Sequence, residues 1–190
     1  MSRPYQLKRR AVAQDETRQR IIEATIELHQ TIGPRATTIS EIAERANVGR
    51  VTVYRHFPDE PSLSQACSGL YYQRNPAPDP AGWRAITDPD KRLRAALAES
   101  YAYHRHTQAM IGHVLADARE HPAVEPYHTH WRRAVDALMA GRRERGNARR
   151  MLRAGIALAI SFETWRTLTA DQELTDEQAA EVAERLAHSR

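Results

Sequence analysis

The sequence has little cysteine and no long apolar run, and each shortage excludes a class of protein. Cys67 is the single cysteine among 190 residues, so no disulfide can form within the chain and the fold needs no oxidising compartment. The longest apolar stretch, around residues 154–160, is far too short to span a bilayer. The first residues, MSRPYQLKRRAVAQ, lack the apolar centre of a signal peptide. We therefore expect a cytoplasmic protein without membrane contact.

Lysine is also scarce, since Lys8 and Lys91 are the only two, and arginine carries nearly all the positive charge. The formal net charge is +4 and the isoelectric point is about 9.5, which permits a nucleic-acid partner without establishing one. Alternating runs of β-branched residues are missing, whereas apolar residues recur at helical spacing nearly throughout. The sequence predicts an all-α fold of about nine helices.

Composition, together with the positions of residues that end helices, divides the chain into three predicted parts. Residues 1–14 are basic and show little periodicity, so we expect a flexible basic arm. Residues 15–60 and residues 61–190 form two predicted helical domains. The first helix is expected over 15–31, ending at Gly33-Pro34, with one buried face made of Ile21, Ala24, Leu28 and Ile32. Beyond a proline-rich break at 75–89, helices are expected at 90–106, 108–120, 123–140, 147–170 and 175–188.

The segment from Thr38 to Phe57 has the proportions of a helix-turn-helix. Thr38 and Glu41 fit a capping box, which predicts the start of one helix. Asn47-Val48-Gly49 predicts a tight turn, and a second short helix follows from Arg50. An ordinary helical hairpin with polar residues on its outside would show the same periodicity.

The residues on the outer side of the second helix suit a DNA groove. An arginine such as Arg50 can bond the O6 and N7 atoms of guanine, and the methyl groups of Val51 and Thr52 can contact thymine. Tyr54 and His56 can donate hydrogen bonds to phosphates, which fix register without reading sequence.

The segment ATTISEIAERANVGRVTVYRHFPDEPSL closely resembles the DNA-binding signature of the TetR family. The resemblance covers residues 15–70 and combines order, spacing and residue type over several helices. The matching residues are Thr38, Ile42, Ala43, Ala46, Val48, Thr52, Tyr54, Arg55, His56, Phe57 and Leu63.

The resemblance implies a bacterial transcriptional regulator that binds a palindromic double-stranded DNA operator as a homodimer. Residues 15–60 would then be a helix-turn-helix DNA-binding domain, and residues 61–190 a helical domain for ligand binding and dimerisation. A small-molecule effector of unknown identity would release the regulator from the operator, so that repression is the expected mode, with transcriptional activation as the alternative. The implied DNA-contacting residues are Thr38, Arg50, Val51, Thr52, Tyr54, Arg55 and His56, with Lys8, Arg9 and Arg10 from the arm.

Two positions depart from the family pattern. Glu60 stands where a lysine usually contacts phosphate, and a glutamate at this position would repel a phosphate. Val51 replaces a commoner glycine or alanine, which predicts an unusual base preference at that position.

The last two predicted helices are the expected dimer interface. Residues 147–170 are apolar on more than one face, and 175–188 carry one apolar stripe, so the longer helix needs cover on two sides. The alternative is that both helices are only intrachain core. We favour the dimer because a monomer could not read a symmetric operator.

The effector pocket is expected among the helices at 90–140 and the start of the long apolar helix. The candidate lining residues are Tyr101, His104, Met110, His113, Tyr127, Trp131, Phe162 and Trp165. Aromatic residues and methionine at helical spacing are more often core than ligand contacts, so each residue has that alternative.

Enzymatic, metal and cofactor sites are not expected. The chain contains no GxSxG, HExxH, P-loop or GxGxxG motif. Paired histidines such as His104 and His106 are two residues apart, which places them on different faces of a helix and suits chelation poorly. The eight arginines of 130–153 favour a solvated face over a second DNA surface. The main rival function is a non-specific or architectural DNA-binding protein without an effector.

Overall fold

The computed structural model describes residues 3–117 and 121–188, with side chains at Arg9 and from Ala11 onward, and this part of the chain contains no β-strand. The helices are α1 (Arg3–Thr31), α2 (Ile39–Arg45), α3 (Arg50–His56), α4 (Glu60–Arg74), α5 (Pro80–Arg84), α6 (Pro89–Asp117), α7 (Glu125–Leu138), α8 (Gly146–Ala159), α9 (Phe162–Arg166) and α10 (Asp176–His188). A 3₁₀ turn at Pro122–Val124 precedes α7, and a π-helical turn at Thr167–Asp171 follows α9. The predicted all-α class is confirmed. Across the described ranges, none of the helices combines the length and hydropathy that a bilayer crossing requires.

Helix α1 begins at Arg3, which corrects the flexible arm expected over 1–14. The segment has no glycine, and its one proline, Pro4, lies in the first turn, where its missing N–H costs no hydrogen bond. Residues 11–16 are exposed, so tertiary packing does not hold this first part of the helix. Helix propensity with no stop signal is the physical reason for the earlier start.

Two further helix boundaries differ from the predictions. Helix α6 is continuous through residue 107, where a break was expected, and within it the buried Thr107 hydroxyl donates to the Tyr103 carbonyl oxygen at 2.8 Å. The long helix expected over 147–170 instead ends after Ala159, and the Ser161 hydroxyl then caps α9 by accepting from the Thr164 amide at 3.2 Å. Helix α5 was not predicted, although Asp79 caps it and Pro80 opens it.

The chain divides into two compact units, one formed by residues 1–75 with 109–124 and the other by 76–108 with 125–190. The boundary expected at residue 60 differs from this division because α4 packs on α1 and buries Leu63 in the core of the first unit. That core consists of Ile21, Ile22, Ala24, Leu28, Ile42, Ala43, Ala46, Val53, Phe57 and Leu63. Ile32, predicted on the same face, is 40% exposed because α1 ends at Thr31.

The core of the second unit is built on one face of α6, together with α7, α8 and α10. The buried Arg92 guanidinium donates to the carbonyl oxygens of Ile86 at 2.7 Å, Ala137 at 3.2 Å and Ala140 at 2.5 Å. Ala137 lies in the last turn of α7 and Ala140 lies just beyond the helix, where carbonyl oxygens lack the amide partners of a helix interior. The Ala137 carbonyl oxygen also accepts from the Ala140 amide at 3.3 Å. Arg92 therefore satisfies and fixes the end of that helix.

Candidate nucleic-acid interface

One narrow apolar side of α3 packs against the core of the first unit, and the rest of the helix lies at the surface. Val53 is fully buried and Phe57, directly after the helix, is 3% exposed. Both belong to the core that α1, α2 and α4 share. The Arg18 guanidinium also lies over the Phe57 ring, 4.8 Å from its centroid, and covers it from the solvent side. Helix α3 is thus anchored on one side only.

The start of α2 is fixed by the predicted capping box. The Thr38 hydroxyl accepts from the Glu41 amide at 3.2 Å, and the Glu41 carboxylate accepts from the Thr38 amide at 2.8 Å. The same carboxylate accepts from the Thr38 hydroxyl at 2.8 Å. These hydrogen bonds lower the pKa of Glu41. The hydroxyl proton of Thr38, expected to bind phosphate, is therefore already donated inside the protein.

The turn between α2 and α3 is made by Asn47, Val48 and Gly49. Asn47 adopts a φ of +53°, a left-handed conformation that asparagine tolerates better than most residues. The Val48 amide donates to the Ala43 carbonyl oxygen at 2.9 Å, and its side chain packs on the core. This turn sets the direction in which α3 leaves α2.

The outer face of α3 carries the predicted base-reading residues in an open arrangement. Val51 is 82% exposed and Tyr54 is 53% exposed, and Arg50 and Arg55 are also exposed. Thr52 is half-buried, at the side of this face. The face therefore offers two guanidinium groups, a phenol and an isopropyl group to a partner.

His56 is placed differently from the expectation. Its side chain is half-buried, and its Nε2 atom is buried without a hydrogen-bond partner among the described residues. Burial, followed by the charges of Arg55 and Arg18, holds the pKa of His56 below its ordinary value. His56 is therefore neutral near pH 7, and Nε2 does not reach a phosphate in this conformation.

The predicted contacts from the N-terminal segment are only partly within the described structure. Lys8, Arg9 and Arg10 lie on α1, and the Arg9 side chain is exposed. The side chains of Lys8 and Arg10 lie outside the described residues. Since this segment is helical, the three residues follow helical spacing and not that of an extended arm.

Glu60 is exposed at the first position of α4. Asp59 caps this helix, its carboxylate accepting from the Ser62 amide at 2.8 Å. Both carboxylates lie at a helix N-terminus, where negative charge is favourable. The departure from the family lysine therefore has a local structural reason.

Six of the eight predicted effector-pocket residues lie in the second unit, and four of them form one cluster centred on His104. His104 is fully buried, with its ring centroid 5.0 Å from that of Trp131, 5.6 Å from Phe162 and 5.9 Å from Trp165. Tyr127 adjoins Trp131 at 6.0 Å. The sixth, Tyr101, donates to the Ala159 carbonyl oxygen at 2.8 Å.

The two remaining pocket candidates, Met110 and His113, belong to the first unit. They are separated from the others because the division between the units falls within α6, after Gln108. Sequence reasoning also missed Ser100 and Tyr103, both buried in the second unit. Ser100 lies four residues before His104 on the same helix face, a spacing that the sequence does contain.

Burial governs the ionisation of the His104 cluster. It lowers the pKa of His104 to about 4 and raises that of Tyr103 to about 12. His104 Nε2 lies 3.0 Å from the Ile160 carbonyl oxygen, so this nitrogen carries the proton and donates it. Nδ1 is then an acceptor, buried without a partner among the described residues. Trp131 Nε1, a donor, and Ser100 Oγ are likewise buried without a hydrogen-bond partner among the described residues.

No group of three or more histidine, cysteine or carboxylate side chains within 3–117 and 121–188 is arranged to hold a metal ion. Cys67 is buried, and burial raises the pKa of its thiol to about 12. A thiol held in its protonated form is a poor nucleophile.

Comparison with known proteins gives consistent results. The family model described as bacterial regulatory proteins of the tetR family matches residues 21–66. The HTH-type transcriptional repressor KstR of Mycolicibacterium smegmatis is 31% identical over 129 residues, which are 68% of this chain and 56% of the relative. The chain therefore spans little more than half the length of this curated relative.

Two solved structures share the fold. A TetR-like transcriptional regulator from Rhodococcus sp. RHA1 superposes with a TM-score of 0.64 at 19% identity, covering 90% of this chain and 93% of that one. RolR in complex with resorcinol gives a TM-score of 0.52 at 21% identity, covering 95% and 97%. These two structures show the shared fold. The family model, together with the similarity to KstR, places the helix-turn-helix region, residues 21–66, in the tetR family of bacterial regulatory proteins.

Proposed function

We propose that the protein is a transcriptional repressor that binds a palindromic DNA operator through α3 and is released by a small organic ligand. The observation that carries this proposal is the orientation of α3, which buries Val53 and exposes Arg50, Val51, Tyr54 and Arg55. A short helix anchored on one edge by a preceding helix is the arrangement that enters a major groove. The similarity to KstR, a repressor, supports repression as the direction of control.

Selection of bound sequences from a random DNA pool tests this proposal. We expect a palindrome with half-sites about 34 Å apart, and loss of its binding in Arg50→Ala and Tyr54→Ala. Arg149→Ala, an exposed arginine on α8, is the matched control and should bind normally. Equal binding to every sequence in the pool would replace this proposal with the non-specific architectural function.

Dimerisation through α8 and α10 is the second part of the proposal. Met151 and Leu158 lie two turns apart on α8 and are 66% and 60% exposed, and Leu186 on α10 is 55% exposed. At Gly155 a Cβ atom would lie 3.3 Å from the Ala187 carbonyl oxygen, so the two helices pack closely and present a joint apolar face. A second copy of the chain would cover this face.

Leu158→Asp is the direct test of this interface. We expect a monomer by light scattering and loss of operator binding, because one subunit reads only one half-site. Ala98→Asp, an exposed alanine on α6, is the matched control and should remain a dimer. A dimeric Leu158→Asp variant would place the interface elsewhere.

The ligand site that we propose is the His104 cluster. It supplies a buried acceptor at His104 Nδ1, a buried donor at Trp131 Nε1 and the Ser100 hydroxyl among aromatic rings. A polar group buried without a partner is costly, and a bound hydroxyl would remove that cost. The resorcinol complex of RolR, a protein of similar fold, supports a small hydroxylated ring as the ligand class.

Quenching of tryptophan fluorescence by resorcinol, phenol and benzene tests this site. We expect the two hydroxylated rings to bind more tightly than benzene and to release operator DNA. His104→Phe should abolish the preference for the hydroxylated rings, whereas His106→Gln, exposed on the same helix, should keep it. Equal affinity for all three rings would reject the assigned hydrogen bonds.

A further inference from the structure

A cavity lies entirely within the first unit, and the proposed function does not use it. Its volume is about 500 Å³, and its lining includes Tyr54 and Phe57 at the end of α3. Cavities of about 300 to 1,000 Å³ accommodate drug-sized organic molecules. The space is therefore large enough for a ligand that touches the recognition helix directly.

The cavity has an apolar interior formed by separate segments of the unit. Ile39 and Ile42 come from α2, Leu63 from α4, Val114 from the end of α6, and Val124 from the 3₁₀ turn. His29, which also lines it, has its pKa lowered to about 4 by burial, so it is neutral near pH 7 and adds no charge. Such a lining favours the apolar body of a ligand.

The charged residues that line this cavity are predominantly acidic. Asp59 and Glu60 contribute two carboxylates from the start of α4, and Arg35 contributes one guanidinium. The hydrogen bond from the Ser62 amide holds the Asp59 carboxylate in place. An excess of carboxylate over guanidinium favours a positively charged ligand.

We propose that this cavity binds a small amphipathic organic cation, with its apolar body among Ile42, Leu63 and Val124 and its ammonium group beside Asp59 and Glu60. Glu60 then has a role as a ligand contact. The site is separate from the His104 cluster, since none of its lining residues belongs to the second unit.

A ligand in this cavity opposes DNA binding. Tyr54 lines the cavity and is also a predicted phosphate contact, so a ligand that packs against it competes with the DNA-bound arrangement. By linkage, operator DNA must weaken binding of the cation by the same factor by which the cation weakens binding of the operator. This competition rests on the proposed function, whereas binding of the cation does not.

Calorimetric titration of the full chain with naphthylethylammonium, naphthylethanol and naphthylacetate tests the charge preference. These probes share one ring system and differ in charge. We expect one molecule bound per chain, with affinity falling from the ammonium to the alcohol to the carboxylate. Glu60→Gln should weaken the ammonium about three- to five-fold, as for an exposed ion pair, and leave the alcohol unchanged.

Filling the cavity provides the positional test. Ser64→Phe, at a half-buried lining residue, should abolish binding of both the ammonium and the alcohol, while Gln65→Phe, exposed on the same helix, should leave both unchanged. Circular dichroism checks that Ser64→Phe is folded. If it is not, the ammonium-to-alcohol affinity ratio in Glu60→Gln is the measurement that tests the cation site.

Three results would overturn the proposal. These are binding that persists in folded Ser64→Phe, an unchanged affinity ratio in Glu60→Gln, and no saturable binding of any probe at millimolar concentration. Cation binding without competition from the selected operator would refute only the coupling to DNA. Absence of any selected operator would refute the proposed function and leave the cation site standing.

Discussion

The buried His104 should make the second unit lose stability as pH falls from 7 to 5. His104 is fully buried, and its pKa of about 4 lies below the value of about 6.5 for an unfolded histidine. Between these two values the unfolded chain binds a proton that the folded chain does not. The free energy of unfolding therefore decreases as pH falls below 6.5, and this loss levels off below pH 4.

The size of the loss follows from the two pKa values. At pH 5 the unfolded histidine is almost fully protonated and the folded one is mostly neutral, which corresponds to about 2 kcal/mol. His104→Phe keeps a ring of similar size within the aromatic cluster and removes the titration. The difference in unfolding free energy between pH 7 and pH 5 should thus be about 2 kcal/mol smaller in the variant than in the native chain.

Urea unfolding followed by tryptophan fluorescence measures this difference. All three tryptophans, Trp83, Trp131 and Trp165, lie in the second unit, so the signal reports that unit and not the buried His29 of the first. His106→Gln controls for the loss of a histidine at the surface. If His104→Phe and the native chain lose equal stability between pH 7 and pH 5, the neutral buried state of His104 is refuted.

Three further predictions concern the first unit. Thr38→Ala should lower the unfolding free energy by about 1 kcal/mol, measured by thermal unfolding, because it removes the cap of α2. Val53→Ala should cost about 2 kcal/mol because it empties a fully buried site, whereas Val51→Ala should leave stability unchanged and alter the selected operator sequence. Glu60→Lys should tighten operator binding and steepen its dependence on salt in filter-binding measurements; an unchanged salt slope would mean that Glu60 lies away from phosphate.

The helix-turn-helix was predictable because its signals are local. The Thr38–Glu41 box, the turn at Asn47 and the apolar spacing before Phe57 lie within twenty or so residues, and each acts on its immediate neighbours. The start of α1 was not predictable by the same means. Absence of periodicity over 1–14 was interpreted as absence of structure, although an exposed helix needs no apolar stripe when nothing in its sequence stops it.

The pocket residues illustrate contacts between distant parts of the sequence, which local patterns do not predict. His104, Trp131 and Phe162 come together from three helices, and their aromatic character was sufficient to select them. Met110 and His113 were expected with them because the pocket was placed among the helices at 90–140, but the units divide within α6, before both residues. The cavity in the first unit was missed altogether, since its lining is drawn from five separate helices and no short window of sequence contains it.

The polar side chains around α3 differ in how much of their bonding capacity the fold has already used. The Thr38 hydroxyl donates to Glu41, and the buried His56 nitrogen points away from solvent. Arg50, Tyr54 and Arg55 are exposed. A donor that is already hydrogen-bonded gains little free energy from a new acceptor. The proposed binding to DNA therefore depends mainly on these three residues. Two of them are arginines, so the contact should be strongly electrostatic and should weaken steeply with salt.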